Sequence, residues 1–208
     1  MKKIIIAIDS FKGCLTSAEA GKAAEKGIKS INPFCHTSVI PIADGGEGLL
    51  DVLITATKGK YITLSAHGPL MKMAKTHYGL SGNGRTAIIE MAAISGLPLV
   101  PIEQRNPMLT TTFGTGELIK DALNKGCRNF IIGIGGSATN DAGLGMLQAL
   151  GFRFLDKSGH TLGTGGQIME AVANIDTSGI HPALRETHFM VACDVANPFY
   201  GPDRKSVV

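Results

Sequence analysis

The chain has no tryptophan, and aromatic residues make up only 5% of it. Base-stacking platforms for single-stranded nucleic acid, which rest on aromatic faces, are therefore not expected. Charge of one sign is equally scarce. Twenty basic against 17 acidic side chains leave a formal charge of +3, with no cluster of Lys and Arg to concentrate it, so the basic footprint of a nucleic-acid binder is missing. The four cysteines, Cys14, Cys35, Cys127 and Cys193, lie far apart, without a C-x-x-C pair or a histidine at metal-ligand spacing. They read as reduced, mostly buried thiols of a cytoplasmic protein. No apolar run approaches the ~18 residues of a membrane span. The run from Ile4 to Ile8 is stopped by Asp9, too early for the core of a signal peptide. The six histidines are scattered, and no Ser-His-Asp or Cys-His arrangement emerges.

What the chain does have is glycine, 27 residues among 208, against an ordinary share of ~7%. The glycines fall between apolar runs without a collagen-like period, which marks special turns and close backbone approaches. Hydrophobic residues at 44% and charged residues at 18% describe a folded chain of one large domain or two small ones.

The first part reads as a β-α-β-α-β unit. Lys3 to Ile8 is a run of β-branched residues, the mark of a strand buried on both faces. Thr16-Ser-Ala-Glu19 has capping-box spacing, and Ala20, Ala23, Ala24, Gly27, Ile28 and Ile31 form the inner stripe of the helix that follows. Thr37 to Ile42 is a second strand, Leu49 to Ile54 line a second helix, and Tyr61 to Ala66 is a third strand, expected to run parallel after its helical crossover. From His67 the texture changes. Met73 to Leu80 and Thr86 to Met91 look like an antiparallel hairpin around Ser81-Gly-Asn-Gly84. A helix over Gly116 to Leu123, a strand over Phe130 to Ile134, a helix through Leu144 and Leu150 and a last strand from Phe189 to Val195 follow. The expected fold class is α/β: a Rossmann-like parallel-sheet portion over residues 1–66, then a second mixed α/β domain over 67–208. That second domain is expected to be incomplete, because an apolar strand followed only by a short tail leaves an open edge.

Candidate chemistry sits at the carboxyl ends of strands, where ligands bind in open α/β sheets. Asp9-Ser10-Phe-Lys12 leaves the first strand; Asp9 can hold a cation or a hydroxyl, and Lys12 can neutralise phosphate. The alternative is a simple turn with a solvated lysine. Asp44-Gly45-Gly46-Glu47-Gly48 leaves the second strand. Its paired glycines expose backbone N–H groups and its carboxylates suit Mg²⁺ or substrate hydroxyls, but the same spacing also fits a local helix cap. Gly133-Ile-Gly135-Gly136-Ser137-Ala-Thr139-Asn140-Asp141 combines glycine backbone, hydroxyls and oxygens, as a phosphate or hydroxy-acid site requires. It lacks the Lys-Ser/Thr of a P-loop and the third glycine of a dinucleotide fingerprint, so a nicotinamide-linked reading is weak. Thr110 to Gly116 reads as a capping segment. Asp194 ends the last apolar run.

Taken together, Asp9-Ser-Phe-Lys-Gly13, Pro41-Ile-Ala-Asp-Gly-Gly-Glu-Gly48, Ile89-Glu-Met-Ala-Ala93, Gly114-Thr-Gly-Glu-Leu-Ile119, Gly133 to Asp141 and Ala192-Cys-Asp-Val195 resemble the bacterial-type glycerate kinases, in the family's order and over nearly the whole chain. The resemblance implies ATP- and Mg²⁺-dependent phosphorylation of D-glycerate to 2-phosphoglycerate, in a cleft of a two-domain α/β protein. Under it, Lys12 offsets phosphate charge. Asp44, Glu47 and Asp194 are the candidates for metal ligand or base, and Asp9 serves either role. Ser10, Gly45, Gly46, Gly135, Gly136, Ser137, Asn140 and Asp141 hold substrate or phosphate. Members of the family are nearly twice as long, and this chain carries Ile8 where Pro is usual, Leu49 where Thr is usual and Ala142 where Gly is usual. The competing reading is a non-catalytic remnant that at most binds ligand.

Overall fold

The computed structural model describes residues 3–11 and 13–193. Strand β1 (Lys3–Ile8) leads through a turn into α1 (Ser17–Ile31), whose N-terminus carries the expected capping box between Thr16 and Glu19. Strand β2 (His36–Pro41) then pairs parallel to β1. The helix approaches closely because Gly21 has no side chain: a Cβ there would lie 2.4 Å from Cγ1 of Val39. Ser17, Ala20 and Gly21 are buried, whereas Ile31 at the end of the expected stripe is exposed. The first strand is not buried on both faces. Ile6 is covered, but Ile5 on the opposite face is 60% exposed, because among the described residues the sheet has two strands, β1 and β2, and α1 packs against one side.

Helix α2 (Leu49–Thr57) ends at Lys58 in the left-handed conformation, and the chain enters β3 (Lys60–His67). This strand departs from the expected parallel unit. It pairs antiparallel with β4 (Met73–Leu80) over its whole length, Ile62 opposite Tyr78 and Ala66 opposite Ala74. The reason is local: β4 begins only a short turn after β3 ends, so closing that pair costs less chain entropy than returning to β2. Strand β4 pairs antiparallel with β5 (Thr86–Glu90), as the hairpin pattern implied.

The remaining pairings are parallel. Strand β5 pairs with β6 (Asn129–Gly133), and β6 with β9 (His188–Ala192), completing a five-stranded mixed sheet in the order β3-β4-β5-β6-β9. The short α3 (Ala92–Ser95) and the longer α4 (Phe113–Asn124) lie between β5 and β6. Between β6 and β9 come α5 (Leu144–Ala149) and a small antiparallel pair, β7 (Arg153–Leu155) with β8 (Asn174–Asp176). The main core lies where α4 covers the sheet, with Leu118, Ile119, Ala122 and Leu123 against Ile89, Phe130 and Tyr78. A smaller one joins Leu50 and Ile54 of α2 to Ile88. The chain is thus a mixed α/β protein. No cysteine forms a disulfide; Cys35 and Cys127 are buried, Cys14 and Cys193 exposed. Among the described residues no helix is long and apolar enough to cross a membrane.

Candidate active site

Register fixes the location. Glu90, Gly133 and Ala192 stand side by side at the carboxyl ends of β5, β6 and β9. Ile8 and Pro41 do the same at the ends of β1 and β2. Ser17 ties these last two ends together: its hydroxyl donates to the Ile8 carbonyl at 2.6 Å and accepts the Ile42 N–H at 3.0 Å.

The 44–48 loop lies directly on the end of the large sheet. The Gly135 N–H donates to the Gly45 carbonyl at 3.4 Å. There is no room for side chains at this contact. A Cβ on Gly133 would stand 2.5 Å from the Gly45 carbonyl oxygen, one on Gly135 2.7 Å from Cα of Gly46, and one on Gly45 2.6 Å from the Ala192 carbonyl oxygen. Gly45 also sits at φ +94°, a region that side chains disfavour. Three motifs far apart in sequence therefore meet backbone to backbone, and glycine makes the approach possible.

The local capping pair expected at Asp44 and Glu47 is not built. Helix α2 starts at Leu49, behind a left-handed Gly48 that offers no side-chain cap. Asp44 instead accepts the Gly46 N–H at 2.9 Å, and the cap comes from another strand: Glu90 accepts the Leu50 N–H at 2.7 Å. Burial pushes the Glu90 carboxyl above its ordinary range, against the pull of the Leu50 N–H; Asp51 adds to the rise, and the Gly48 N–H and His77 oppose it. Glu47 is exposed.

A cavity of about 480 Å³ opens between this loop and the turn after β1, walled by Ser10, Glu47, Gly48, Asp51, His77 and Glu90. Its size fits a small-molecule ligand. Asp9, half-buried beside it, accepts the Ser10 N–H at 2.6 Å. Lys12 and Asp194 lie outside the described residues.

The third motif divides. Gly135 and Gly136 face the acidic loop and Ala92 respectively. The Ser137 hydroxyl shares a hydrogen bond with that of Thr139 at 2.7 Å, and Asn140 is exposed; neither Ser137 nor Asn140 walls the cavity. Asp141 is 1% exposed. It accepts the Thr112 N–H at 2.8 Å, the hydroxyls of Thr111 and Thr112, and the N–H groups of Gly143 and Gly145. Its oxygens are occupied within the protein, holding the starts of α4 and α5 together. The Thr110–Gly116 segment thus meets a cap from two sides: Asp141 of a distant loop takes the Thr112 N–H, and the segment's own Thr111 hydroxyl takes the Phe113 N–H at 3.3 Å.

Glu90, Asp51 and His77 had no assigned role in the sequence reading. The available signal was an apolar strand ending in a carboxylate, Ile88-Ile-Glu90, which places an acid at the ligand-binding edge of a sheet.

Residues 4–208 match the family model described as glycerate kinase family. The chain belongs to the glycerate kinase family. It is 52% identical over 99% of its length to a glycerate kinase of Bacillus subtilis (strain 168), covering 54% of that protein. With a glycerate 2-kinase of Escherichia coli (strain K12) it shares 48% identity over 98% of its length, covering 54% of the relative. A crystal structure assigned to glycerate kinase 2 of Salmonella typhimurium LT2 superposes with a TM-score of 0.86 at 48% identity, over 96% of this chain and 54% of that one. The chain spans about half the length of the curated relatives it matches.

Proposed function

We propose that this chain carries part of the site at which a glycerate kinase transfers the γ-phosphoryl group of ATP to D-glycerate, giving 2-phosphoglycerate. The observation that carries this reading is the backbone contact of the 44–48 loop with Gly133 and Gly135 beside a cavity of about 480 Å³. Phosphoryl transfer depends on positioning and charge neutralisation more than on covalent chemistry by the protein. Gly136, the exposed glycine of the third motif, serves anion binding, and Glu47 and Asp44 serve as metal ligand or as the base that orients the glycerate hydroxyl. Lys12 offsets phosphate charge, Asp9 and Ser10 line the approach, and Asp194 is the second acid.

Among the described residues no three or more His, Cys, Asp and Glu side chains form a metal cage. The donor set still fits Mg²⁺, which keeps several waters and takes one or two carboxylates together with substrate phosphates. Glu47 and Asp44 would hold it here. When bound, the ion would neutralise charge on the nucleotide's phosphate oxygens. A cytoplasmic location is part of the proposal, supported by four cysteines without a disulfide. So is a division into an N-terminal unit and a second unit. The boundary proposed is the one read from the sequence, residues 1–66 and 67–208.

A coupled ADP-release assay with D-glycerate, ATP and Mg²⁺ tests the reading. Turnover that falls at least about 100-fold in Glu47→Gln or Asp44→Asn supports the assignment; wild-type turnover in both removes it. A second reading is a chain that binds glycerate without phosphorylating it. Calorimetric binding with no ADP release would select that one.

A further inference from the structure

Glu90 is a half-buried acid at the cavity wall with no part in the transfer as proposed. We propose that Glu90 is a positioning residue: from the end of β5 it fixes the first turn of α2 and thereby aims the 44–48 loop, with Glu47, at the substrate cavity. This rests on the reading of that cavity given above.

Helix α2 lacks a side-chain cap of its own, and the N–H groups of its first turn have no partner within the helix. Glu90 fills that need from 40 residues away, taking the Leu50 N–H at 2.7 Å, with the Gly48 N–H also favouring its charged form. These two amides bracket the turn that immediately follows Glu47.

Glu90 also acts through its place in the strand. It stands opposite Gly133 in the β5–β6 register, and the next residue, Met91, donates its N–H to the Gly133 carbonyl at 2.9 Å. Gly133 is the residue packed on the Gly45 carbonyl. The end of β5 is therefore tied through the Met91 N–H to the strand end that packs on Gly45, while the Glu90 side chain reaches the acidic loop. Glu90 sets the distance between them.

Such a placement has a cost. A carboxylate withdrawn from water, with Asp51 near it, raises the energy of the charged form. A neutral amide of the same shape would avoid that cost, but its oxygen holds an N–H only about half as strongly as a carboxylate does. Retaining an acid where it is disfavoured fits a requirement of the site better than a requirement of folding.

The test compares the parent chain with Glu90→Gln by thermal unfolding, amide hydrogen exchange and calorimetric binding of D-glycerate. In Glu90→Gln the unfolding midpoint is expected to stay within about 2 °C or rise. Exchange at Gly48 and Leu50 should accelerate about tenfold or more, and the D-glycerate Kd should rise about tenfold or more. Unchanged exchange at those two amides overturns the proposal. So does a midpoint that falls by more than about 5 °C together with the affinity, since a merely structural role predicts that result. If the parent chain binds no D-glycerate, the assigned substrate falls, and the exchange comparison alone decides whether Glu90 holds the turn.

Discussion

The carboxylate of Asp141 takes the backbone N–H of Thr112 at 2.8 Å, joining a loop to the start of α4 across 29 residues of chain. Because the same group also accepts Gly143 and Gly145, one buried acid organises two helix starts. Replacing it by Asn turns one acceptor oxygen into a donor facing other donors. Asp141→Asn is expected to lose about 2–4 kcal/mol of stability, read by urea unfolding, while the folded fraction keeps its ligand affinity. Affinity lost at unchanged stability would instead return Asp141 to the binding site.

Gly45 combines a positive φ with a carbonyl oxygen 2.6 Å from where a Cβ would sit. Gly45→Ala should therefore cost about 1–3 kcal/mol or more and separate the acidic loop from the sheet end. Gly159 has φ +82° but open space around it, so Gly159→Ala should cost only about 1 kcal/mol. Equal losses for the two in denaturant unfolding would show that close packing at Gly45 is unimportant.

The Tyr61 hydroxyl donates to Asp51 at 2.5 Å. That bond first, and burial second, push the phenol up to about 12. Its folded pKa lies above the unfolded value of about 10, so the associated stability is complete below pH 10 and fades as pH rises towards 12. In Asp51→Asn the Tyr61 midpoint should move down, visible as earlier phenolate absorbance in an alkaline ultraviolet titration. An unmoved midpoint would contradict the pairing.

Among the described residues, strand β9 leaves Phe189, Met190 and Val191 exposed at 45%, 66% and 56%, and it stands at the edge of its sheet. Apolar edge strands promote association between copies. The isolated chain should self-associate as concentration rises in sedimentation velocity, and Met190→Lys should shift it towards monomer. Identical profiles for both would remove the edge as the cause.

Much of the architecture was readable along the chain, because local signals act locally. The capping box at Thr16 and Glu19 forms as its spacing implies, and the strand patterns around Lys3, Met73, Phe130 and Phe189 all become strands. The misassigned pairing of β3 has a different origin. An apolar alternating segment states that it is a strand, but not which neighbour it will join. The site shows the same limit. Glycines in three motifs announced close approach, yet nothing in their spacing said that Gly45 would rest on Ala192, or that the caps of α2 and α4 would arrive from Glu90 and Asp141.

By itself, the order of residues determined which segments become helix or strand and where acid and glycine collect, since periodicity and backbone freedom are properties of neighbouring residues. Only the tertiary structure decided which acids face a cavity and which are consumed holding helices in place. That depends on contacts closed over tens of residues, where a buried N–H takes whichever carboxylate the packed sheet brings within reach.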